Sequence, residues 1–314
     1  MERSDEVNVS LHSFAEMIAE ARRGSPMRVA VAAPHDRVVT EALREAMSLG
    51  IAHPVLVGRP DAIAGAAEEA GLDRRGLETV AAAGEAEAAR EAVGLVRQGR
   101  ADMVMKGHLN TADMLRAVLD RETGLRTGRV LSHVAVVQLP HLGRLLFTTD
   151  GGINIHPDLE RKVNIVENAV EAVRALGLRQ PYVALLAVVE MVNKEMPATT
   201  DAAAIAEMAR AGRFPDAVVD GPISLDLALS TEAAAIKGYD SPVAGKADIL
   251  IGPTIEVANM MTKAMIYGAG AESAGVVLGA RAPVVLLSRS DSVATKLNSI
   301  ALGALIARGS TKDR

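Results

Sequence analysis

Residues 27–57, MRVAVAAPHDRVVTEALREAMSLGIAHPVLV, decide the fold class. Residues 27–34 read as a buried strand, residues 37–49 as a helix that stops at Gly50, and residues 54–57 as the next short strand. The alternation continues outward. Residues 61–70 read as a helix closed by Gly71, and residues 85–97 as another. Residues 101–105 form a strand ending at Lys106-Gly107, and residues 111–119 a helix that Asn110 or Thr111 can cap. Strand and helix in regular alternation imply an α/β domain, its parallel sheet covered by helices on both faces.

Further along, the pattern changes. Residues 130–139 and 144–149 are neighbouring extended runs joined by Pro140-His141-Leu142-Gly143, which resembles a hairpin turn. A helix over 158–176, a strand over 182–189 and a helix over 200–211 follow. These runs place a first domain at 1–128 with 283–314 and a second at 129–282. A last strand at 283–287 and a helix at 292–308 return to the first domain, and residues 4–8 and 309–314 read as frayed ends.

Composition narrows the function. A chain of 314 residues, 49% hydrophobic, can bury two modest cores. Its net charge of -5 denies it the basic footprint of a nucleic-acid binder. Residues 182–189, the longest apolar run, fall far short of the ~18 a membrane helix needs. Residues 1–14 are polar and carry no secretory h-region. The absence of cysteine excludes disulfides, a thiolate nucleophile and iron–sulfur ligation, so a cytoplasmic location is expected. Aromatic residues make up only 2%, too few for a base-stacking platform. The seven histidines show no metal-ligand spacing, and no metal is expected. Walker and nucleophile-elbow motifs are also missing.

Ligands of parallel sheets gather at the carboxyl ends of strands, and four segments there carry polar residues. Ser288-Arg289-Ser290-Asp291-Ser292 opens a helix; it is either a plain cap or an anion site with Arg289 as a bidentate clamp. Asn110, Thr111 and Arg116 follow the Lys106 strand, with an Asp113–Arg116 surface ion pair as the plainer reading. Thr149 to Pro157 contains paired glycines and Asn154, and reads first as a turn. Lys246 and Asn259 flank a strand at 249–251, where Lys246 either meets a phosphate or solubilises a loop.

Three stretches, SPVAGKADILIGPTIEVANMMTKAM (241–265), VVDGPISLDLAL (218–229) and PVVLLSRSDSVATKLNSIALGAL (283–305), resemble the phosphate acetyltransferase and phosphate butyryltransferase family. Residues 149–157 and 288–300 look closer to the butyryl branch. The resemblance implies a two-domain subunit similar in fold to isocitrate and isopropylmalate dehydrogenases. It also implies an active site in the cleft between domains and assembly as a homodimer or larger homo-oligomer. The implied reaction is acyl-CoA plus phosphate to acyl phosphate plus CoA, with CoA as substrate and no permanently bound cofactor or metal. The family roles fall on Ser288 and Arg289, and on Arg116 as a phosphate ligand. In the acetyl branch an aspartate seven residues after the serine deprotonates the CoA thiol; here that residue is Thr295, which cannot. Asp291 is the nearest carboxylate, and as a helix cap it would be a weakened base.

Two competing readings remain. An oxidoreductase of similar fold would need a carboxylate cluster for a metal, whereas Asp220, Asp226, Asp248 and Glu256 are scattered. A non-catalytic acyl-CoA-binding protein is the other, motivated by Thr295.

Overall fold

The structure, a computed structural model, describes residues 12–312, with side chains through residue 309. The polar 1–11 stretch and the expected frayed segment 4–8 lie outside the described residues. In chain order the elements are α1 (Phe14–Arg22), β1 (Met27–Ala32), α2 (Arg37–Ser48), β2 (Ala52–Gly58), α3 (Pro60–Ala70), β3 (Thr79–Ala81), α4 (Glu85–Arg97), β4 (Met103–Lys106) and α5 (Thr111–Val118). There follow β5 (Ser132–Gln138), β6 (Leu145–Thr149), α6 (Leu159–Ala175), β7 (Tyr182–Leu186), α7 (Pro197–Arg210), β8 (Val218–Ile223), α8 (Leu225–Leu229) and α9 (Thr231–Lys237). The chain closes with β9 (Ile249–Ile251), α10 (Ile255–Lys263), a π-helical turn (Ala264–Gly268), β10 (Glu272–Leu278), β11 (Val284–Val285) and α11 (Val293–Lys312). None of the helices, among the described residues, is long and apolar enough to cross a membrane.

The described residues divide into two compact units, residues 14–135 with 272–312 and residues 12–13 with 136–271. By this division the chain crosses at 135/136 and at 271/272. The first crossing runs through β5, and the second falls just before β10, whose run ESAGVVL belongs to the unit of residues 14–135. α11 runs on to Lys312, past the expected stop at 308.

In the first unit the strands lie in the order β3-β2-β1-β4-β11-β10, all parallel except β10 against β11. β1 sits inside this sheet, and Val29 to Ala32 are fully buried, as a strand covered on both faces must be. α11 covers the sheet with Ile300, Ala301, Leu302 and Ala304, none of which touches solvent. It comes in close because Gly303 faces β4 and β11: a Cβ there would stand 2.8 Å from the Met103 sulfur and 3.1 Å from Val285 Cγ2. α2 starts at Asp36, whose carboxylate accepts from the Val39 N–H at 3.0 Å.

The other unit orders its strands β6-β9-β7-β8, again parallel. Its core joins Val137, Leu146, Ala184, Ile223 and Leu250 with small alanines from the covering segments. At the amino ends of these strands Asp248 fastens β9 to β7: its carboxylate accepts from the Tyr182 N–H at 2.9 Å. Burial pushes this carboxyl above its ordinary value of 3.8, against the pull of Tyr182 and Arg144. The folded chain thus holds the proton to higher pH than the unfolded one does. Stability is lost as pH rises from 3.8 through the raised value, and the loss is complete at neutrality. Asp248→Asn keeps an acceptor for Tyr182 and removes the buried charge. Thermal melts should show the variant at or above the parent at pH 7, with the gap closing by about pH 3.5. A deficit at pH 7 that is absent in acid would refute the assignment.

Candidate functional site

The parallel register of β11 on β4 builds the site. Val284 pairs with Val104 and Val285 with Met105, so the chain leaving β11 emerges beside the chain leaving β4. That second chain must pass close to β1. Gly107 N–H donates to Ala32 O and His108 N–H to Ala33 O, both at 2.8 Å. A Cβ on Gly107 would lie 2.3 Å from Ala33 O and 2.7 Å from Ala32 O, so only glycine fits. Ala33 itself is held at φ 53°, the left-handed region that L-residues avoid.

Two buried ammonium groups hold the strand-end turns, Lys296 the 288–291 loop and Lys106 the 107–109 turn. Lys296, 2% exposed, reaches back from the first turns of α11 and donates to Asp291 O at 2.8 Å and Ser288 O at 3.2 Å. Lys106, 5% exposed at the end of β4, donates to Gly107 O and Leu109 O, each at 3.3 Å. Burial lowers the pKa of Lys106, and the positive charges of Arg289 and then Lys296 lower it further; Asp291 and Asp36 pull the other way. Burial likewise lowers Lys296, partly opposed by Asp291 and Asp36. Above these ammoniums Ser288, Arg289 and Ser290 are exposed. The Ser288 hydroxyl lies 2.9 Å from that of Ser290, and the Ser288 N–H donates to Asp291 Oδ2 at 2.8 Å.

The helix cap is Ser292, not Asp291. Its Oγ accepts from the Thr295 N–H at 3.1 Å and donates to Thr295 Oγ1 at 3.2 Å. Asp291 instead braces Ser288, and Thr295 is spent on the cap.

The other candidates are placed as follows. Asn110 stands at the N-cap position of α5, but its side chain makes no capping bond, and both it and Thr111 are exposed. Arg116 makes the surface ion pair with Asp113 at 2.5 Å and is 73% exposed. In the other unit, buried Asp150 accepts from the N–H groups of Gly152, Ile153 and Asn154 and from the Asn154 side chain, so the paired glycines form a turn around a carboxylate. Asn259 Nδ2 donates to Gly151 O at 2.8 Å and supports the same turn. Lys246 does not join them. It is exposed, with its ammonium 5.9 Å from the Tyr182 ring centroid, and precedes β9, so it lies at the amino ends of strands whose carboxyl ends carry Asn154 and Asn259.

A cavity of about 790 Å³ opens at the carboxyl ends of β7, β8 and β9. Leu186, Leu225, Val257 and Met261 make it apolar, and the Lys162–Asp201 pair, at 2.6 Å, supplies its charged wall. Sequence reading missed this hollow because its walls come from separate helices and loops. It also missed Lys106 and Lys296, although both left a trace: one ends an apolar strand, the other interrupts an apolar helix. Among the described residues His35, Glu85 and His108 form the one group with metal-ligand chemistry. Burial first, and then His108, lower the His35 pKa.

Ser288 and Arg289 are thus exposed at a strand end of an α/β protein, with the ammonium groups of Lys106 and Lys296 buried nearby. Residues 84–304 match the phosphate acetyl/butaryl transferase family. The chain is 47% identical to the phosphate butyryltransferase of Clostridium acetobutylicum over 95% of its own length and 99% of that protein's. It is 44% identical to the phosphate acetyltransferase of Rhizobium meliloti, covering 94% of this chain and 93% of the relative. The solved branched-chain phosphotransacylase from Enterococcus faecalis V583 superposes with a TM-score of 0.79 at 34% identity, over 90% of this chain and 99% of that one. The chain belongs to the phosphate acetyl/butyryl transferase family and is an acyltransferase.

Because a Cβ at position 107 meets backbone rather than side chain, Gly107→Ala should force the β4 and β1 ends apart. The expected outcome is a melting temperature lowered by several degrees, together with reduced activity. A variant that melts and turns over like the parent would show that the two loops separate without cost.

Proposed function

We propose that this chain transfers a short acyl group reversibly between coenzyme A and inorganic phosphate, with the phosphoryl group held at Ser288 and Arg289. The observation that carries the reading is the crowding of positive charge under the 288–291 loop, where Arg289 and Lys296 both press on buried Lys106. A dianion placed there relieves that repulsion, and a thiol brought there loses its proton more readily.

In the direction of acyl-CoA synthesis, the CoA sulfur attacks the acyl-phosphate carbonyl. The new S–C bond forms as the C–O bond to phosphate breaks, and phosphate departs with the proton the thiol gave up. Arg289 holds the phosphoryl oxygens and Ser288 donates to the developing oxyanion. Arg116, with its guanidinium largely in solvent, exchanges Asp113 for phosphate. With no cysteine in the chain and no Ser-His-Asp arrangement at Ser288, the transfer is direct, within a ternary complex. Thiolate formation is assigned to the cationic field, because Thr295 cannot take a proton and Asp291 is engaged with the Ser288 N–H. The same reading carries a cytoplasmic reaction, no permanently bound cofactor and at least a homodimer. Light scattering on the purified chain reads the last of these directly.

Arg289→Ala should lower kcat/KM about 100-fold while circular dichroism and melting stay as in the parent. An unchanged rate removes Arg289 from the site. Asp291→Asn should cost less than about tenfold and leave the acidic limb of the pH–rate profile in place. Loss of that limb would make Asp291 the base. Assays of acetyl-, propionyl- and butyryl-CoA with and without phosphate test the reaction itself: CoA release must depend on phosphate.

A further inference from the structure

We infer that His35, Glu85 and His108 form a binding site for a divalent transition metal, best suited to zinc. The three residues come from three separate strand ends of one unit: the turn after β1, the first turn of α4 after β3, and the turn after β4. One ligand atom from each lies within 4.8 Å of the other two, and all three residues are half-buried. The imidazole rings face each other at 5.1 Å between centroids, tilted by 47°.

A zinc ion with bonds of about 2.0–2.1 Å needs ligand atoms roughly 3.4 Å apart, so side-chain adjustments of about an ångström close the site. Such movement is open to a long glutamate side chain in a first helical turn and to histidines in loops. A second, independent feature singles out the same ring. His35 Nδ1 is buried and has no hydrogen-bond partner, an arrangement that costs free energy unless something else occupies that nitrogen. Two imidazoles and a carboxylate select borderline metals such as zinc over magnesium or calcium, which want oxygen ligands. Three protein ligands leave one tetrahedral position for water or a small anion. Charge allows it: Glu85 and Asp36 bear on His35, against Arg59, which is itself paired with Asp61 at 3.0 Å.

The test of this site needs no activity measurement. The chelator-treated full chain should bind one equivalent of zinc by calorimetry, and cobalt in its place should give the visible bands of tetrahedral coordination. Zinc should also raise the melting temperature. His35→Ala, His108→Ala and Glu85→Gln should each weaken zinc binding at least tenfold and abolish the cobalt bands, since even outer partners of metal ligands are worth 10–100-fold. Glu85→Gln is a near-isosteric change at a half-buried helix start, so it reports on binding even if a histidine variant folds poorly. No zinc binding, or binding that survives in the folded Glu85→Gln and histidine variants, overturns the assignment in favour of adventitious histidines elsewhere.

Discussion

The buried Lys296 ammonium is the constraint on which the site depends. A lysine 2% exposed inside an apolar helix is costly, and its two bonds to Ser288 O and Asp291 O are what make it tolerable. The same bonds tie both ends of the 288–291 loop to α11, beneath the exposed Ser288 and Arg289. Desolvation and loop order are here two sides of one contact.

The remainder of the site follows from how closely small residues let backbones approach. Gly303 seats α11 on β4 and β11, Gly107 lets the β4 exit touch the β1 exit, and the parallel register of β11 brings the Ser288 loop beside Lys106. A core built from alanine, valine and leucine with 2% aromatics is suited to this packing. In the other unit the same economy appears in the 150–154 turn, where one buried carboxylate satisfies three consecutive backbone donors and an amide.

The sequence was legible where a signal is local. β1, α2 and β4 announce themselves by apolar runs and closing glycines, the Arg116–Asp113 pair by helical spacing, and Ser288-Arg289 by its place after an apolar run. β10 was not assigned from the sequence, because the small residues Ser273, Ala274 and Gly275 leave only Val276, Val277 and Leu278 as a short apolar signal. Lys106 and Lys296 were passed over because lysine is a surface residue by default, and only the register of α11 buries the second. Lys246 illustrates the opposite case. Its position just before β9 already puts it at an amino end, so strand direction alone separates it from the carboxyl ends that carry Asn154 and Asn259. His35, Glu85 and His108 lie on three different loops and share no motif; topology alone unites them.

The division of the chain also dictates an order of events during synthesis. Residues 136–271 leave the ribosome as one stretch and contain nearly everything their unit requires. The unit begun first cannot be completed until β10, β11 and α11 emerge at the very end, so its β4 edge and the helices that α11 will cover wait unpaired through most of translation. Until then the β4 edge keeps unpaired backbone donors and acceptors, the kind of edge that invites association with another strand.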